Sequence, residues 1–192
     1  MTFQRKVSNY HVPKGFIGGR ERGGGLREDV LAALVSRTPD EVMVIDFQEI
    51  EFLDFSAADE FLTVLVRRVI SGELGTRRFV LTNLSDAVRE NVQAVLALRG
   101  LHCLERRADG SVTVLGRISP PLAQTLDHIN RMGRTTSNEV AKMLGDIELN
   151  AAANRLKTLA DAGLVVEDPT TSGGRGARRI FYSVMPVSAE AN

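Results

Sequence analysis

The sequence predicts an α/β domain, a sheet carrying helices, followed by a smaller α+β domain of short helices and a hairpin. Three observations carry this. Before residue 117, apolar runs such as VMVIDF (42–47) and RRFVLTNL (77–84) alternate with amphipathic helical segments. RISPP (117–121) then interrupts the chain, because two prolines stop a strand and can open a helix. Beyond it the pattern changes to short helices and a Gly- and Arg-rich hairpin. The expected domains are 1–116 and 117–192.

TFQRKV (2–7) and GFIGG (15–19) read as short extended segments, and GGRERGGG (18–25) reads as a loop. LREDVLAALVSR places Leu26, Val30, Leu31, Leu34 and Val35 on one helical face, and TPDE (38–41) ends it. VMVIDF is β-branched and apolar on both faces, as a strand buried in a sheet requires. In 57–74 the apolar positions 58, 61, 62, 65, 66 and 69 have helical spacing, ended by Gly72. A strand at 77–84 and a helix from Ser85, its expected N-cap, to Gly100 follow. LHCLER (101–106) and SVTVLG (111–116) flank the turn ADG and form two β segments.

In the second domain, PPLAQTLDHINRMG (120–133) lines up Leu122, Leu126, Ile129 and Met132 on one face. TTSNEVAKMLG (135–145) is a short helix with Ser137 as expected N-cap and Val140, Ala141 and Leu144 inward. After the turn DIEL, NAAANRLKTLADAGL (150–164) is a third helix with Ala152, Leu156 and Leu159 inward and Gly163 at its end. LVVEDPTTSGGRGARRIFYSVM (164–185) reads as two strands around a flexible tip.

Composition excludes several classes. Lys+Arg and Asp+Glu balance at 24 each in 192 residues, so no globally basic coat attracts nucleic acid, although a local patch is allowed. Cys103 is the single cysteine, which rules out a disulfide framework and a thiolate metal cluster and suits a reducing cytoplasm. No run approaches the roughly 20 apolar residues of a membrane span, and the start MTFQRKVSNY develops no apolar signal core, so no membrane association is expected. A hydrolase triad would need Asp54 and Ser56 with a histidine, yet His11, His102 and His128 stand in unrelated contexts and no G-x-S-x-G is present. The glycine run lacks the P-loop pattern, and Asp46, Glu49, Glu51 and Asp54 lack metal-ligand spacing. The expectation is a non-enzyme without cofactors.

The run TTSNEVAKMLGDIELNAAANRLKTLADAGLVVEDPTTSGGRGARRIFYSV resembles the winged helix-turn-helix domains of bacterial transcriptional regulators over about Ser119 to Met185. The resemblance implies double-stranded DNA as partner. Polar side chains on the third helix, Asn150, Asn154, Arg155 and Lys157, suit base edges in the major groove. Arg175, Arg178 and Arg179 on the hairpin suit phosphates or the minor groove, and Ser137 at a helix start suits a phosphate. From Arg117 onward nine basic residues face eight acidic ones, with Glu148 at the start of the third helix. A winged domain that binds protein is therefore the competing expectation. A homodimer is expected because one such domain reads only a short half-site.

The segments VIDFQEIEFLDFSAADEF (44–61) and FVLTNLSDAVRENVQ (79–93) resemble the STAS-like family, related to the anti-sigma-factor antagonists of partner switching, over about Phe16 to Gly116. In that related family a strand leads through an Asp-Ser-Ser-Gly-like turn into a helix, and a kinase phosphorylates the second serine to control docking of a partner protein. Asp54 matches the aspartate and Ser56 the modified serine, while Phe55 and Ala57 depart from the pattern. Two readings of Ser56 stay open: a helix N-cap completed as a capping box by an acidic residue near N3, or a phosphorylation site. Asp54, Asp59 and Glu60 are expected as cap or docking charges.

Overall fold

A computed structural model describes residues 5–39, 41–145, 147–168, 171 and 179–185. The chain divides into two compact units, one spanning Arg5–Arg117 and the other taking in Ile118 onward.

In the first unit the apolar strand β3 (Glu41–Asp46) lies between β1 (Lys6–His11) and β5 (Arg78–Thr82), followed by β6 (Cys103–Arg106) and β7 (Val112–Leu115). The first four strands of this sheet, β1, β3, β5 and β6, run parallel, and β7 returns antiparallel to β6. A separate parallel pair joins β2 (Gly15–Ile17) to β4 (Ile50–Leu53). The crossovers contain α1 (Gly19–Val35), then α2 (Phe55–Ala58), a π turn (Asp59–Thr63) and α3 (Val64–Ile70), then α4 (Asp86–Arg99). The parallel strands are taken in one direction across the sheet, and crossovers of one hand then place the helices on one face. The core agrees: Leu26, Val30, Leu62, Leu65, Val92 and Val95 pack against Met43, Ile45, Leu81 and Cys103. Val42, Val44, Val80 and Leu104, of opposite phase, are buried outside that cluster.

Gly23–Gly25 do not form the expected loop; they belong to helix α1, which begins at Gly19. Glycine is a poor helix former, so propensity points the other way. The packing supplies the reason. A Cβ on Gly23 would stand 2.4 Å from the Ala57 carbonyl oxygen and 2.7 Å from the Ala57 Cα. Only glycine allows the two helices to approach so closely. Val35, expected inward, is exposed at the last position of α1. The strand and helix ends around α4 follow the sequence: Ser85 accepts from the Val88 N–H at 3.4 Å, and Gly100 takes the left-handed conformation with φ 63°.

The second unit is built from α5 (Pro120–Met132), β8 (Arg134–Thr135), α6 (Ser137–Met143), α7 (Leu149–Asp161), β9 (Val165–Glu167) and β10 (Phe181–Ser183). Its sheet has the order β8-β10-β9, antiparallel throughout. Leu126, Ile129, Val140, Ala152, Leu156, Leu159 and Phe181 are buried in it. Met132, expected inward, is exposed at the end of α5, while Leu122, Ala141 and Leu144 are half-buried. Thr136, not Ser137, caps α6. Its hydroxyl accepts from the Glu139 N–H at 3.4 Å, and Glu139 Oε2 accepts from the Thr136 N–H at 2.7 Å. This reciprocal capping box leaves Ser137 as the first helical residue. Among the described residues no helix is long and apolar enough to cross a membrane.

Candidate docking site and candidate nucleic-acid interface

The expected cap at Ser56 belongs to Asp54. β4 delivers Asp54 in an extended conformation, and its Oδ1 accepts from the Ala57 N–H at 2.7 Å. Its Oδ2 accepts from the Gly19 N–H at 2.8 Å, at the start of α1. One carboxylate therefore satisfies donors at two helix starts, where negative charge is favoured. The helix already begins at Phe55, so the last extended residue, whose side chain can turn back onto the free N–H groups, is Asp54 and not Ser56. Ser56 is left exposed in the first turn.

The other two acids are also engaged. Asp59 is buried, and Arg99 from α4 grips it with two bonds, Nε to Oδ1 at 2.9 Å and Nη2 to Oδ2 at 2.5 Å. Thr63 donates to Oδ1 at 2.7 Å. Asp59 is thus a tie between helices, not a capping-box residue. Glu60 is half-buried and paired with Arg27, with Arg20 3.6 Å away. Two of the three carboxylates around Ser56, Asp59 and Glu60, are thus paired with arginines. Around the same strand end lie Phe16, 57% exposed and stacked on Phe52 at 4.5 Å, and Phe55, 39% exposed. Gly18 sits between the Phe16 ring and Asp54: a Cβ there would be 3.1 Å from one and 3.3 Å from the other. Ser56 and this aromatic surface had no joint signal in the sequence, because Phe16 is distant along the chain.

The hydrogen bonds from Arg99 hold the Asp59 carboxyl below its usual pKa, against the opposing effect of burial. A depressed folded pKa adds stability that is complete above the unfolded value, about 3.9, and is lost as pH falls through the folded value. Urea unfolding followed from pH 6 to pH 3 is therefore expected to show wild type and Asp59→Asn converging on acidification. A constant gap across that range would show that the Asp59 charge contributes nothing.

In the second unit α7 exposes Asn150, Asn154 and Lys157, with Arg155 half-buried. Lys157 is paired with Asp161 at 2.9 Å, one turn on along the helix. Glu148 occupies the N-cap position of α7 without a side-chain cap, and Leu149 beside it is 49% exposed. Ser137 is half-buried at the start of α6. Arg179 lies 3.4 Å from Glu167 across the hairpin. Arg175 and Arg178 lie outside the described residues. Cys103 is buried in the first unit's core, where burial pushes its thiol well above the ordinary pKa and leaves it a packing residue. Among the described residues no group of three or more His, Cys, Asp or Glu side chains is arranged to hold a metal ion.

No protein-family model matches this chain, and no curated protein matches it.

Proposed function

We propose that the chain is a DNA-binding transcriptional regulator, with a winged helix-turn-helix second unit and a STAS-like first unit that docks a partner. The observation that carries this reading is the chain order of the second unit: α5, β8, α6, α7, β9, β10, with the sheet order β8-β10-β9. In a winged helix the third helix enters the major groove and the final hairpin flanks it. On this reading α7 is the reading helix, with Asn150 and Asn154 for base edges and Arg155 and Lys157 for phosphates or bases. The hairpin arginines 175, 178 and 179 contact the backbone, and a homodimer spans two half-sites. In the first unit, Ser56 and the Phe16–Phe52–Phe55 surface form the docking face for a regulatory protein or a kinase. The engaged carboxylates of Asp59 and Glu60 support that role, since they lower the repulsion a phosphate on Ser56 would meet.

A second reading, a protein-interaction adaptor in a partner-switching pathway, has its own support. Lys157 is matched by Asp161 and Arg179 by Glu167, and the start of α7 presents Glu148 and an exposed Leu149. Such a surface suits protein as well as phosphate. Duplex binding measured against salt separates the two. A DNA reader is expected to lose affinity with salt at a slope of about −0.9 per phosphate neutralised. Changing Arg175, Arg178 and Arg179 together to Ala is then expected to flatten that slope by two to three contacts (about 2–3 units). An unchanged slope and affinity would favour the adaptor.

A further inference from the structure

His11 ends β1 and Asp46 ends β3, and the parallel register sets them side by side. Both residues thus stand at the carboxyl ends of their strands, β1 being the edge of the sheet. His11 Nδ1 lies 3.1 Å from Asp46 Oδ2. Asp46 is itself buried and held: its Oδ1 accepts from the Gln48 N–H at 3.0 Å and from Asn83 Nδ2 at 2.8 Å. Asn83, which supplies that bond, is the one non-glycine residue with positive φ, 56°, among those described. A strained residue bonded to a buried carboxylate marks a place that the surrounding structure holds fixed.

His11 and Asp46 border an open concavity of about 450 Å³, whose walls include Lys14, Gln48 and Glu49. That size lies within the range of small-molecule sites. The proton pattern follows from chemistry. A carboxylate only accepts, so with Asp46 Oδ2 3.1 Å away the proton of a neutral His11 ring is favoured on Nδ1, which leaves Nε2 as a lone-pair acceptor. Glu49 offers a second acceptor and Lys14 a cation. Among the described residues neither Lys14 nor Glu49 is joined to another side chain by an ion pair or hydrogen bond. Opposite charges left unmatched around one small concavity fit a ligand that carries both signs. Asp46 and Glu49 oppose a simple dianion, and Lys14 opposes a simple amine.

We infer that this concavity binds a small zwitterion of the α-amino-acid class. Its ammonium meets Glu49 and His11 Nε2, and its carboxylate meets Lys14. The inference is independent of whether the second unit binds DNA. Thermal unfolding of the full chain tests it, with each common L-amino acid, inorganic phosphate and methylamine as probes at about 10 mM. At least one amino acid is expected to raise the midpoint, by roughly 3–6 °C where it stands tenfold above its Kd. Lys14→Met and Glu49→Gln are each expected to abolish that shift. Both side chains are exposed, so the midpoints of the unliganded variants are expected to stay within about 2 °C of wild type. The inference is overturned if no amino acid shifts the midpoint, if phosphate or methylamine alone shifts it as far, or if the shift survives both substitutions.

Discussion

Gly23→Ala is expected to destabilise the first unit by about 1–3 kcal/mol, although the same change in an isolated helix would stabilise it by about 1 kcal/mol. Two effects of opposite sign compete. Helix propensity favours alanine. The added methyl would stand 2.4 Å from the Ala57 carbonyl oxygen, a backbone atom that cannot swing aside as a side-chain end would. The clash wins because relieving it requires α1 to move away from α2. Gly25→Ala is the matched control. It lies in the same helix with nothing within 4 Å of the new Cβ, so propensity acts alone and stabilises by about 0.5–1 kcal/mol. Chemical denaturation of the two variants is expected to move the midpoint in opposite directions. Parallel shifts would mean that the helix contact at Gly23 has been misjudged.

The second large effect is at Asp54. Asp54→Ala removes the acceptor from the Ala57 and Gly19 N–H groups together. Loss of one side-chain cap costs about 1 kcal/mol, so about 2 kcal/mol is expected for the double cap, with non-additivity reducing it if the helices relax. Asp54→Asn keeps an acceptor oxygen and is expected to recover part of the loss. Ser56→Ala, by contrast, is expected to change stability by less than about 0.5 kcal/mol, since the exposed hydroxyl caps nothing. Denaturant unfolding of the three variants checks the set. A loss at Ser56 equal to that at Asp54 would return the cap to the serine.

Those two sites also mark where sequence was legible and where it was not. Strands such as β3 and β5 and most helices were readable because burial imposes a period, whereas the short strands β4 and β8 were not anticipated. Val42 to Ile45 are apolar on both faces, and every apolar position expected inward between 58 and 69 is buried. The Gly23 helix was unreadable because local propensity and tertiary contact disagree, and only the contact explains the residue. The cap at Asp54 was ambiguous because Asp and Ser, both good caps, stand two residues apart. At α6 the signal was present: Thr136 with Glu139 has the capping-box spacing, which Ser137 lacks. The engaged pairs were out of reach, as Asp59–Arg99 and His11–Asp46 join residues about 40 and 35 positions apart, brought together only by the sheet order.

The π turn at Asp59–Thr63 has a consequence for the whole segment from Phe55 to Ile70. Its buried apolar residues come as 57 and 58, 61 and 62, 65 and 66, then 69, a repeat of four. A helix of 3.6 residues per turn gains about 40° on such a repeat each time, or about 120° by Val69. One residue accommodated in a wider turn takes back about 100°. The inserted turn thus works as a phase corrector, keeping a four-residue rhythm pointed at one wall. Asp59, the first residue of that turn, is also the one that Arg99 of α4 holds, so the correction of phase and the joining of two helices share one short segment of the chain.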